Sequence, residues 1–137
     1  MAYQDLLVPN NLKLYCGSLS TSGDVYTVSM TFSGPWASPI TATVGFQIMG
    51  DSVYCTLPSI LGTATTSAVI QSSNLPTNFL PSITKYTPSV VSLAGSTSGA
   101  GLCTISTKLI FGDNMAGGIF DTGSNVGILP QTILWSK

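Results

Sequence analysis

Residues 43–57 read TVGFQIMGDSVYCTL. Two alternating runs, TVGFQIM and SVYCTL, flank Gly50-Asp51, a small, φ-permissive pair able to make the tight turn that strand twist requires. The reading is a β-hairpin. Phe46 and Ile48 on its first strand, with Val53, Cys55 and Leu57 on its second, share the buried face. Pro58 then ends the pairing, because it has no N–H to give to a ladder.

The same period of two extends in both directions. In Val25–Phe32, Tyr26, Val28, Met30 and Phe32 lie on one face and Val25, Thr27, Ser29 and Thr31 on the other, as in a strand with one wet side. Further strands are predicted at Ala68–Gln71, Ser89–Leu93, Leu102–Ser106, Lys108–Phe111, Gly118–Asp121 and Thr132–Trp135. Turn chemistry separates them: LPTNFLPS at 75–82, AGSTSGAG at 94–101, GDNMAGG at 112–118 and DTGSNVG at 121–127. The Gly/Ser-rich 94–101 segment is read as an exposed loop tip. No window carries a sustained helical stripe. Many short strands about 8–14 residues apart indicate an all-β, jelly-roll-like antiparallel β-sandwich. Residues 1–22 alternate poorly and read as an extended N-terminal arm, leaving 23–137 as one domain.

The 137 residues suit one domain that needs neither metal nor disulfide to bury a core. Its charge inventory is unusual. Four Lys and five Asp are all of it, 7% of the chain against about 25% in ordinary globular proteins. Roughly a quarter of the residues are Ser or Thr, so hydroxyls replace charges as the polar surface. Four scattered Lys with a net charge of −1 cannot neutralise a nucleic-acid backbone. With no His, triads with an imidazole base are impossible and a zinc site would need Cys or Asp ligands. The N-terminus MAYQDLLVPNN lacks a basic region followed by an apolar run, and no apolar stretch approaches the ~18 residues of a membrane span. Neither signal peptide nor membrane insertion is expected.

Candidate chemistry is sparse. Phe120-Asp121-Thr122-Gly123-Ser124 looks like the catalytic loop of aspartic proteases, in which two such carboxylates share one proton. That family needs a flap and an apolar-apolar-Gly segment after the loop, and the chain reaches Lys137 too soon for both. A turn in which Asp121 accepts local backbone hydrogen bonds is the plainer reading. Cys16, Cys55 and Cys103 have no base to deprotonate them and no Cys-x-x-Cys spacing. They read as reduced thiols, Cys55 and Cys103 as core residues of strands. Asp5, Asp24, Asp51, Asp113 and Asp121 form no calcium-loop pattern, and those adjoining Gly read as turn formers. Trp36, Tyr86 and Trp135 could form an aromatic sugar platform, with Trp36 on a loop, but core or subunit contact is the favoured reading of a Trp in a small β domain. A surface so poor in charge is weakly protected against association, which implies an obligate oligomer of identical chains.

Four segments together resemble the small head domains that terminate phage tail fibres and occur in large DNA viruses and their virophages. They are GFQIMGDSVYCTLP, ATTSAVIQSSNLPTNFLPS, GLCTISTKLIFG and GGIFDTGSNVGILPQTILWSK. LLVPNNLKLYCGSLS resembles the segment leading into such a head. The resemblance implies a sandwich shaped like the complement and tumour-necrosis-factor heads, assembled as a homotrimer around an apolar axis. It carries no shared catalytic residues. The function implied is a non-enzymatic viral structural or accessory protein, a surface head binding a host receptor or glycan. The alternatives are a capsid or scaffold component without a ligand, and an aspartic hydrolase through Asp121. No catalytic, cofactor or metal residue is expected. Partners are copies of itself, a host glycan or receptor, or other virion proteins, in the virion or the infected-cell cytoplasm. Loops 94–101 and 112–118 are the best candidates for a ligand surface, with no single ligand-binding residue singled out. No shaft repeat precedes the head, which makes it a free-standing trimer or a piece of a longer fibre.

Overall fold

The computed structural model describes residues 25–137. The predicted arm over 1–22, with Asp5, Cys16 and Asp24, lies outside the described residues. Ten strands follow in order: β1 (Tyr26–Ser33), β2 (Ile40–Met49), β3 (Ser52–Leu57), β4 (Ile60–Ala64), β5 (Ile70–Ser72), β6 (Lys85–Leu93), β7 (Thr97–Ile105), β8 (Leu109–Phe111), β9 (Gly123–Ile128) and β10 (Gln131–Ser136). A 3-10 turn at Thr77–Phe79 interrupts the long connection between β5 and β6. All pairings are antiparallel, and the hydrogen-bonded order is β10-β3-β2-β1-β5-β8-β7-β6-β9-β4.

The β2–β3 hairpin forms as its alternation predicts. Met49 faces Ser52 across a two-residue turn, and Phe46 faces Cys55. Gly50 has a φ of 63°, a conformation that costs a residue with a Cβ about 1–2 kcal/mol. Phe46, Val53, Cys55 and Leu57 are buried, and Ile48 packs at the margin of the core. In β1, Met30 and Phe32 are buried while Thr27, Ser29 and Thr31 face outward, and Tyr26, on the inner face but at the start of the strand, stays exposed. Hydroxyls on the wet side approach across strands, Thr31 with Thr41 and Thr56 with Thr132, each pair 3.4 Å apart.

The sheet bends back on itself around one core. β10 and β6 are far apart in the sheet order, yet Gln131 on β10 joins them. Its Oε1 accepts from the Val90 N–H at 2.9 Å, and its Nε2 donates to the Val90 carbonyl at 2.8 Å and to the Leu129 carbonyl at 2.9 Å. A side-chain amide thus takes the place of a strand's peptide group. At the far edge, Trp36 forms a backbone bridge with Ala64 of β4, and its Nε1 donates to the Val126 carbonyl at 2.9 Å. Phe79 stacks on Phe46 with ring centroids 4.5 Å apart and planes 6° apart, and its carbonyl accepts from Trp135 Nε1 at 2.9 Å.

Four expectations are corrected. The 94–101 segment is not a long loop: β7 begins at Thr97, paired with Leu93, so only residues 94–96 turn. DTGSNVG is not a turn throughout, because β9 starts at Gly123. It pairs with β4, a strand that ILGTA alone does not suggest. Gly118–Asp121 is not a strand; Phe120 makes a single bridge to Ala68. β6 runs back to Lys85 through Pro88. Alternate residues direct their N–H and C=O to the same side, and Val90 directs its own away from β7. The nitrogen of Pro88 therefore faces away from β7, where no ladder bond is lost.

Candidate functional site

Two turns that the sequence marks as polar loops meet at one end of the sheet. The first is the β6–β7 tip, where Gly95 and Ser96 have φ of 82° and 69° and Ser96 N–H donates to the Leu93 carbonyl at 3.0 Å. The start of β9 clamps this tip. Gly95 N–H donates to the Ser124 carbonyl at 3.2 Å, Asn125 Nδ2 to Ser96 Oγ at 2.7 Å, and Ser92 Oγ to the Asn125 carbonyl at 2.5 Å. Asn125 itself is left-handed, φ 54°, which Asn tolerates better than most residues.

The second turn, 112–118, is built around Asn114. Its Oδ1 accepts from the N–H groups of Ala116 and Gly118 at 2.9 and 3.1 Å, an Asx-type arrangement that orders the loop. Asp113 N–H donates to the Gly118 carbonyl, and the Asn114 carbonyl accepts from Leu102 N–H. The Ala68–Phe120 bridge then returns the chain so that Asp121 comes beside Asp113. Leu93, Ala94, Thr97, Asp113 and Asp121 line an open cavity of about 300 Å³.

The electrostatics of this cavity are one-sided. Asp113 Oδ1 is closed off from solvent without a hydrogen-bond partner, although the residue as a whole lines the open pocket. Desolvation of this oxygen, and then the charge of Asp121, push the Asp113 carboxyl above the usual carboxylate range, against a hydrogen bond from its own backbone. The described lysines are far away. Lys85 begins β6 and Leu93 ends it, eight residue steps or roughly 26 Å apart, beyond a Debye length of about 8 Å at physiological salt. Lys108 follows the β7 end that pairs with Lys85, and Lys137 adjoins Asp51. The pocket therefore offers carboxylate acceptors and the Thr97 hydroxyl, suited to hydroxyl or ammonium donors and unfavourable to anions. Among the described residues no group of three or more His, Cys, Asp or Glu side chains could hold a metal ion.

The other sequence candidates disperse. Trp36 and Trp135 are 8% and 3% exposed, each with its indole N–H bonded to a backbone carbonyl, whereas Tyr86 is 67% exposed. The aromatic platform is therefore not assembled, and Trp36 and Trp135 are core residues, in line with the favoured reading of the sequence. Cys55 and Cys103 are buried and free. Burial pushes the Cys55 thiol up to about 12, and burial together with the proximity of Cys55 pushes Cys103 upward too. Neither supplies a nucleophile near neutral pH. Asp51 sits in the hairpin turn. Thr97 falls in the 94–101 segment that the sequence offers as ligand surface, but the pairing of Asp113 with Asp121 escapes sequence reading, because the bridge that brings the two acids together involves Ala68, far off in the chain. A second hollow of about 230 Å³, lined by residues including Leu80, Pro81, Ile83 and Thr107, carries no charge. No described helix is long and apolar enough to cross a membrane.

The fold is an all-β antiparallel one. The chain is similar in structure to the reovirus attachment protein sigma1, solved in complex with alpha-2,3-sialyllactose, at a TM-score of 0.51 and 15% identity. The match covers 82% of this chain and 64% of that one. In sequence it is similar to structural protein V8 of Sputnik virophage, 42% identical over 57 residues, which are 40% of this chain and 31% of the relative. The chain thus spans about a third of the curated relative and under two-thirds of the solved one. No family model matches.

Proposed function

We propose that this chain is a non-enzymatic virion-surface head: a jelly-roll-like β-sandwich, assembled as a homotrimer, that holds a neutral glycan of the host in the pocket between Thr97, Asp113 and Asp121. The observation that carries the reading is the convergence of two separate turns on one open pocket, in a fold similar to that of an attachment protein. Carboxylates accept hydrogen bonds from paired sugar hydroxyls, and these charge-assisted bonds are about twice as strong as neutral ones. An acidic sugar would instead meet two like charges with no described lysine nearby. A shallow site binds weakly, and three on one trimer compensate through avidity that can exceed single-site affinity by about 10²–10⁴.

The test is a glycan array probed with the full chain and with Asp121→Asn and Thr97→Val. The expected result is binding confined to neutral glycans and weakened at least tenfold in each variant. Binding to acidic glycans alone, or binding indifferent to both substitutions, overturns the reading.

The similarity to a virophage structural protein favours a second reading, a capsid or scaffold component without a ligand. That component would leave the array empty and assemble beyond a trimer. The nearness of Asp113 to Asp121 also gives the aspartic-hydrolase reading a direct trial. A peptidase assay at acid pH should show no activity; activity abolished by Asp121→Asn would establish an enzyme.

A further inference from the structure

We infer that the end of the sheet opposite the pocket is the surface that copies of this chain bury against one another, an inference that rests on the homotrimeric reading above. Large apolar side chains lie open there. Val25 is 57% exposed, Tyr26 60%, Met49 44%, Ile83 66% and Tyr86 67%.

These residues come from four parts of the chain, and the hydrogen-bond and ring geometry gathers them around the C-terminal end of β10. The Tyr26 ring lies 6.1 Å from that of Phe79, and the Phe79 carbonyl accepts from Trp135 Nε1. Ile83 follows on the same connection. Met49 faces Ser52, which faces Ser136. Lys85, next to Tyr86, donates from Nζ to Ser136 Oγ at 3.2 Å.

Three features identify the occupant as another copy. First, soluble monomers rarely leave an apolar patch beyond about 300–600 Å² open, and this chain has little charge with which to keep one soluble. Second, the rim carries both signs: Asp51, whose carbonyl accepts from Lys137 N–H at 2.8 Å, stands beside Lys137 and Lys85. A rotated copy can set its acid against the neighbour's lysine beside a shared apolar centre, the head-to-tail kind of contact from which a closed ring is built. The hollow beside Ile83, lined by Leu80 and Pro81, gives an apolar side chain of the neighbour a seat. Third, the described residues begin at Val25 and finish at Lys137 on this same end, so a contact made here leaves the opposite end clear. The Asp113–Asp121 pocket, a strand's length away, stays open.

The experiment is size-exclusion chromatography with light scattering on the full chain across a range of concentrations, for the wild type and single variants. Tyr26→Lys and Ile83→Lys should each weaken self-association at least tenfold, with an unchanged circular-dichroism spectrum. Met115→Lys, at an exposed apolar residue of the pocket-end loop, should not. If either end variant fails to fold, Met49→Lys serves in its place. An oligomer that survives the end substitutions overturns this surface and leaves the homotrimer standing. A wild type that is monomeric throughout, its patch covered by residues 1–24 of its own chain or exposed to solvent, overturns both.

Discussion

The β2–β3 hairpin and the β4–β9 pair are both antiparallel and both add residues to the core, yet they do so by opposite routes. In the hairpin every residue of the ladder is extended and the exceptional backbone is confined to Gly50, in the turn. In β9 the exceptions lie inside the strand: Gly123, Asn125 and Gly127 have φ of 152°, 54° and 154°. A Cβ on Gly127 would run into the Ile60 carbonyl oxygen, whereas one on Gly50 meets nothing within 4 Å. One pair is held by side-chain alternation, the other by close backbone approach. The difference teaches that glycine in a β protein marks two unrelated situations.

Substitutions can set the two regions against each other. Phe46→Ala should have the largest effect. It empties a fully buried site and removes the ring stacked on Phe79, at about 3–5 kcal/mol of stability by denaturant unfolding. Gly127→Ala and Gly50→Ala come next and form a matched pair. The first should destabilise by more than about 3 kcal/mol, since backbone strain of about 1–3 kcal/mol is joined by a clash with fixed backbone. The second should cost about 1–2 kcal/mol. Equal losses at the two glycines would erase the distinction between a turn and a close approach.

The smallest effect is expected at the pocket. The Asp113 carboxyl has a raised folded-state pKa, so its ionised form weakens the fold at neutral pH. This penalty fades as pH falls through the folded pKa and is gone below the ordinary carboxylate value. Asp113→Asn should therefore melt slightly higher than wild type at pH 7 and indistinguishably near pH 3. A lower melting temperature at pH 7 would show that the carboxylate is stabilised by a partner. The buried thiols work at the other extreme. Their raised pKa values favour the fold below the ordinary thiol value of 9.0, and the fold weakens as pH rises past it.

What can be read in the sequence follows the same division. Tyr26–Ser33 and Thr43–Leu57 are legible because alternation of large apolar and hydroxyl residues records which face is inside. Cys55 and Cys103 are legible as core thiols for the same reason. The strands at 97–101 and 123–128 are not, because Gly, Ser and Asn carry turn propensity that their neighbours override. Gly101 has no room for a Cβ between Ser89, Val91 and Gly112, a constraint that exists only once the strands are assembled. Trp36 has the look of a loop residue, flanked as it is by Pro35 and by Ser38-Pro39, and the bond to Val126 that draws it inward spans 90 residues. The 94–101 and 112–118 turns are recognisable as polar loops, but their meeting with Asp121 depends on Ala68.

Gln131 gives the closed sheet an unequal seam. Most neighbouring strands are zipped by repeated backbone bonds, while β10 meets β6 through side chains, Gln131 gripping the two polar groups of Val90 and Lys85 reaching Ser136. This line can part without breaking a ladder, so breathing of the native protein begins there. The Val90 amide should exchange its hydrogen for solvent deuterium well before the Phe46 amide, deep between β1 and β3.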